Sequence, residues 1–254
     1  MKVLVCGKGG SGKSTITALL AKSMAKRGYN VLVVDSDESN FGLHRQLGVR
    51  MPEDFTNYLG GKKAMGEKLK EAFQKGEPVS IFEKKWQIAD VPEAYTVEKG
   101  NIKMIAIGKI HDFGEGCACP MGVLAKNLLK NMETTSEDLV LVDTEAGIEH
   151  FGRGVEEGCD LVLMVLDPSY ESLRLSEKTR KLAEKAGKPL YFILNRADKI
   201  GIQFMLETVD KAHVLASVPS DMEVFRAGLA GDELNIELLE IESIADFLVS
   251  GIHF

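Results

Sequence analysis

Little in this sequence belongs to a secreted, membrane-spanning or nucleic-acid-coating protein. Its 254 residues hold only four cysteines, too few to staple a chain of that length, so free thiols in a reducing compartment are expected and not a disulfide framework. No apolar run approaches the roughly 20 residues that a membrane span needs. The start, MKVLVCGKGG, passes from a short apolar strand directly into a glycine loop, without the pattern of a cleavable leader. Basic residues are outnumbered, 31 Lys and Arg against 38 Asp and Glu, and the net charge of −7 argues against a surface built to hold a phosphate backbone. Low-complexity tracts, internal repeats and Pro/Gly-rich linkers are also missing. One domain over 1–254 is therefore expected, cytoplasmic, with neither nucleic acid nor membrane as a partner.

What is present is a rhythm. Short runs rich in Val, Ile and Leu recur as KVLVC, VLVVD, IKMIAIG, DLVLVD, DLVLMVLD, PLYFILN and HVLASVP. Runs of this kind, without polar alternation, fit strands buried on both faces of a parallel sheet. Helical stretches fill the intervals, among them 14–27, 121–132, 170–185 and 236–249. The alternation predicts a doubly wound α/β fold, a mostly parallel sheet of seven or eight strands flanked by helices, with ligands at the carboxyl ends of the strands. Residues near 50–100 break the rhythm, being Lys/Glu-rich and weakly periodic. They are expected to form an irregular helical and extended insertion around Trp86, packed on one edge.

After the first strand comes GKGGSGKS, Gly7 to Ser14, a P-loop pattern with a strand before it and a helix after it. Gly7, Gly9, Gly10 and Gly12 let backbone N–H groups turn inward around phosphate at the positive end of the next helix. Lys13 reaches the β- and γ-phosphates and Ser14 offers its hydroxyl to Mg²⁺, with Ser11 and Thr15 completing the loop. Lys8, inside the loop, reads either as a solvated charge or as a second cation for the phosphate site.

With Lys8 the loop reads KGGSGK and resembles the signature of the deviant Walker A ATPases, the family of MinD, ParA, the nitrogenase iron protein and Mrp-type carriers. The resemblance implies Mg²⁺-dependent hydrolysis of ATP to ADP, and a homodimer in which Lys8 crosses to the partner's nucleotide. It places the carboxylate that positions the attacking water at Asp37 of VLVVDSDES. Asp35 lies two residues before it, and both are expected to point toward Mg²⁺ and the γ-phosphate. Asp143 of DLVLVDTEAG takes the Walker B position and Gly147 belongs to the second switch, where Glu145 stands in place of the proline of many relatives. Asn195 of FILNRADK matches an adenine-facing asparagine, with Arg196 beside it. Pro219 lies in SVPSDMEVFRAG, the base-enclosing segment.

Cys6 and Cys159 adjoin apolar strands and are expected to be packing residues. Cys117 and Cys119, in GEGCACPMG, differ. A disulfide across one residue would close a strained ring, and two thiolates are too few for a tetrahedral soft-metal site. Two copies on a twofold axis supply four, so one Ni²⁺ or Zn²⁺ shared across the dimer is expected. His111, Asp112 and Glu115 nearby are read as surface residues. Within the family, CACPMG together with DTEAGIEHFGRG resembles the accessory ATPases that mature nickel-dependent carbon monoxide dehydrogenase. That resemblance implies this enzyme as client and nickel delivery to its Ni-Fe-S cluster. An iron–sulfur cluster carrier or another cofactor-maturation ATPase is the alternative, and a MinD- or ParA-type positioning ATPase a further one. Against the latter, the tail ELNIELLEIESIADFLVSGIHF carries acids and no Lys or Arg, so anionic lipid would repel it.

Overall fold

The apolar runs pair side by side in a computed structural model that describes residues 1–75, 81–82, 84–110 and 119–252. The strands are β1 (Lys2–Gly7), β2 (Asn30–Ser36), β3 (Val97–Lys99), β4 (Ile102–Ala106), β5 (Asp138–Thr144), β6 (Leu161–Leu166), β7 (Leu190–Asn195) and β8 (Val214–Val218). They form one sheet in the order β3-β4-β2-β5-β1-β6-β7-β8. Every neighbouring pair is parallel except β3 with β4. Seven of the eight match the apolar runs. β3 is the strand that the runs do not announce, because three residues with two exposed charges carry no hydrophobic signal.

Central strands β5 and β6 are buried at every residue, which is why they read as continuous hydrophobic runs. Helices cover both faces: α1 (Lys13–Lys26), α2 (Leu43–Leu47), α3 (Gly61–Lys75), α4 (Cys119–Asn131), α5 (Glu149–Arg153), α6 (Tyr170–Ala186), α7 (Lys199–Thr208), α8 (Met222–Ala230) and α9 (Leu239–Ile252). On one face Leu4, Cys6, Val140 and Val142 pack with Leu124 and Leu128 of α4 and Met205 of α7. On the other, Val3, Val5, Leu139 and Leu141 pack with Ile16 and Leu20 of α1 and Ile244 and Leu248 of α9. The alternation along β1 and β5 follows from the two-residue period of a strand.

The region near 50–100 contains α3, β3 and short helical turns. Its aromatic side chains do not make a core of their own. Phe55, Phe82 and Trp86 join the cluster that holds Leu4 and Val34, with Phe82 and Trp86 edge to face at 4.8 Å between ring centres. Trp86 N–H donates to the carbonyl of Asn131 at the end of α4. Thr56 N–H donates to Ile107 just beyond β4. The segment thus covers the β4 side of the sheet and one of its faces. Cys6 and Cys159 are both buried, and burial pushes each thiol up to about 12, so they are packing residues as expected.

Candidate functional site

The parallel strands β1, β2, β5, β6 and β7 end along one edge of the sheet, and the chain leaving them brings the expected nucleotide residues together. β1 runs into the loop at Gly7, whose φ is 147° and where an added Cβ would lie 2.3 Å from the Val165 carbonyl oxygen. Gly12 has φ 99°, and a Cβ there would lie 2.2 Å from Asn195 Nδ2. Both positions exclude a side chain by conformation and by space. The loop is tied from three directions. Asn195 Nδ2 donates to the Ser11 carbonyl at 2.7 Å, an Arg196 guanidinium nitrogen donates to the Gly10 carbonyl at 3.1 Å, and Gly147 N–H donates to the Gly7 carbonyl at 3.1 Å. Arg196 adopts φ 59°, a left-handed conformation uncommon for a side chain of its size. Helix α1 then begins with no side-chain cap and no acid in its first turn. Its leading N–H groups are left for an anion.

Behind the loop lies a set of buried charges. Lys13 is 6% exposed, and its ammonium reaches the Lys8 carbonyl at 3.4 Å. Ser14 Oγ donates to Asp143 Oδ2 at 2.5 Å and accepts from Asn40 Nδ2 at 2.6 Å. The parallel register sets Asp35 opposite Asp143. Burial raises the Asp143 carboxyl to about 6 against the pull of the Ser14 hydrogen bond, and burial, opposed by Lys109, raises Asp35 as well. Among the described residues no three or more His, Cys, Asp or Glu side chains form a metal cage. Mg²⁺ usually keeps waters and phosphate oxygens beside one or two protein oxygens. The Ser14 hydroxyl and the Asp143 carboxylate, hard oxygen donors side by side, fit it.

Asp35 departs from the expectation that both acids face the metal. Its Oδ2 accepts from Lys109 Nζ at 2.6 Å, with both side chains 1% exposed or less, and its Oδ1 accepts the Asp37 N–H at 3.1 Å. The reason is positional, since Asp35 is the sixth residue of β2 and lies inside the sheet edge, whereas Asp37 lies beyond it. Asp37 Oδ1 accepts from the Ser39 N–H and hydroxyl at 3.0 and 2.7 Å. Lys109, Asn40 and Arg153 are members that the motifs did not reveal. Arg153 pairs with Glu145 at 2.9 Å and lies across Gly122 near the start of α4. Burial, opposed by Arg153, raises the Glu145 carboxyl to about 7. Lys8 is paired with Asp167 of its own chain at 3.0 Å. A cleft of about 680 Å³ beside the loop gathers Thr15, Asn195, Arg196 and Pro219 under Met222 and Phe225 of α8. Cys117 lies outside the described residues, with His111, Asp112 and Glu115; Cys119 is the first residue of α4.

A glycine loop between strand and helix, an uncapped helix start, a buried lysine and a Ser–Asp pair together define a P-loop nucleotide-binding protein. The chain belongs to the CobQ/CobB/MinD/ParA nucleotide binding domain family, whose sequence profile matches residues 2–234. It is an ATP-binding P-loop ATPase of the MinD/ParA type. An uncharacterized ATP-binding protein of Methanocaldococcus jannaschii is 53% identical over 98% of this chain and 99% of its own. The carbon monoxide dehydrogenase accessory protein CooC of Rhodospirillum rubrum is 34% identical over 91% of this chain and 88% of its own. Among solved structures, the septum site-determining protein MinD of Pyrococcus horikoshii, complexed with Mg-ADP, superposes with a TM-score of 0.70. That alignment covers 100% of this chain and 98% of the other at 20% identity, a likeness of fold. No helix among the described residues is long and apolar enough to cross a membrane.

Proposed function

We propose that this protein is an ATP-controlled metal carrier that delivers nickel to the Ni-Fe-S cluster of carbon monoxide dehydrogenase. The observation that carries this reading is the 34% identity to the accessory protein CooC over nine-tenths of the chain, joined to the Cys117 and Cys119 pair of CACPMG. In this reading the whole chain works as one ATPase domain and pairs with a second copy. Gly7 to Thr15 wrap the phosphates, with Lys13 on the β- and γ-phosphates and Ser14 and Asp143 holding Mg²⁺, which neutralises charge developing on the transferred phosphoryl group. Asp37 positions the attacking water, Asn195, Arg196 and Pro219 enclose the base, and Lys8 leaves Asp167 to reach the partner's nucleotide. Cys117 and Cys119 from both copies bind one Ni²⁺ or Zn²⁺ as cargo. Because metal and nucleotide favour the same dimer, each strengthens binding of the other.

A positioning ATPase of the MinD or ParA type shares the fold and the loop. A MinD-like lipid tail needs a free amphipathic helix, and here the apolar side of α9, with Ile241, Ile244, Ala245 and Leu248, is buried against α1 and the sheet. Native mass spectrometry with Mg-ADP and limiting Ni²⁺ or Zn²⁺ tests the carrier reading. One metal per two chains is expected, lost in Cys117→Ala/Cys119→Ala. A metal-free dimer indistinguishable from that variant would leave an ATPase switch of another kind.

A further inference from the structure

Lys109 is fully buried, a position that an ammonium occupies only where its three protons find acceptors. It finds three: Asp35 Oδ2 and the backbone carbonyls of Asp37 and Asn40. The two carbonyls belong to residues three apart, so the segment after β2 must curl around the ammonium to offer both. From the same segment Asn40 Nδ2 holds Ser14 Oγ at the phosphate end of the site. The lysine is itself fixed by its backbone. Its N–H donates to Asp54 Oδ2 at 3.1 Å and its carbonyl accepts from Lys62. On either side of it, Ile107 N–H donates to Asp35 O at 2.8 Å and Ile110 N–H to Glu38 O at 3.0 Å. The ammonium therefore fixes the curled segment as well as Asp35. With all its protons engaged, the ammonium has none left for a phosphate, and its influence on chemistry runs through the residues it holds.

We propose that Lys109 is a positioning residue for ATP hydrolysis, its ammonium holding residues 37–40 in the shape that presents Asp37 and Asn40 to the phosphates and Mg²⁺. This rests on the reading of Asp37 as the residue that positions water. Misplacing such a group by about 1 Å costs about 10- to 100-fold in rate, and nucleotide affinity, set by the loop and the base cleft, is unaffected.

The test is steady-state and single-turnover hydrolysis of radiolabelled ATP by full-length Lys109→Met, Asp37→Ala and the double variant. Lys109→Met is expected to lower kcat about 10- to 100-fold with KM for ATP changed less than about twofold, and to slow Asp37→Ala by a much smaller factor, since Asn40 is then the one group left for it to position. Wild-type kcat in Lys109→Met overturns the proposal. So does an undiminished loss in the Asp37→Ala background, which would mark a role in general stability. Wild-type turnover by Asp37→Ala is the separate outcome in which the reading of Asp37 itself fails. If Lys109→Met does not fold, Asp35→Asn/Lys109→Met removes both charges and carries the same comparison against Asp35→Asn.

Discussion

Helices α1 and α7 both start at the carboxyl edge of the sheet, each just after a parallel strand paired on both sides, and they begin in opposite ways. At α7 the Asp198 carboxylate turns back and accepts the Gly201 N–H at 2.7 Å, and Ser169 and Asp221 cap α6 and α8 likewise. At α1 a glycine takes the cap position and no side chain accepts from the first turn. A cap of the first kind stabilises a protein by about 1 kcal/mol. The helix that faces the phosphates forgoes it, keeping its N–H groups and its positive end for a ligand. The pair separates residues that stabilise the fold from residues that prepare the site, at one edge of one sheet.

The largest effect is expected at the α1 end. Lys13→Ala removes a cation that, among the described residues, makes one long hydrogen bond, 3.4 Å to the Lys8 carbonyl. Phosphate release should fall by about 100- to 1000-fold, while the thermal midpoint of the nucleotide-free protein stays level or rises. A midpoint that drops along with the rate would erase the separation.

That separation was legible in the sequence only on one side. KGGSGK announced the loop because its glycines, lysine and serine are contiguous, and their order alone carries the chemistry. Asp143 and Asn195 were legible as polar ends of apolar runs. Lys109 was not, although a lysine immediately after MIAIG, just past a buried strand, was the available signal. Its partners Asp35, Asp37 and Asn40 lie some 70 residues away and meet it only because β2 and β4 are neighbours in the sheet. For the same reason the sequence alone makes Asp35 a metal-facing acid. Spacing of two along a strand predicts a common direction, and it cannot reveal that a lysine just beyond the adjacent strand occupies the inner carboxylate. Strand β3 was missed because its three residues show no period.

A smaller effect sharpens the contrast on the loop itself. Lys8 and Asp167 form a partly exposed pair at 3.0 Å within one chain, and the proposed dimer needs that lysine free. Pairs of this exposure contribute at most about 1 kcal/mol. Asp167→Asn should therefore move the protein concentration giving half-maximal specific ATPase activity downward by about two- to fivefold. An unchanged concentration dependence would mean that Asp167 does not compete for Lys8.

The smallest effect belongs to the α7 end and closes the comparison from the other side. Asp198→Ala leaves the Gly201 N–H without its acceptor and should cost about 1 kcal/mol, or about 2–4 °C in the thermal midpoint of a chain this long. ATP turnover per folded molecule should not change, because the ties from this connection to the loop are made by Asn195 and Arg196, before the cap. Arg196 is the sensitive point. It holds φ 59° while its guanidinium reaches Gly10, a conformation that neighbouring structure must impose. If turnover falls together with stability, the cap is part of what imposes it, and α7 is then coupled to the nucleotide loop through a single strained residue.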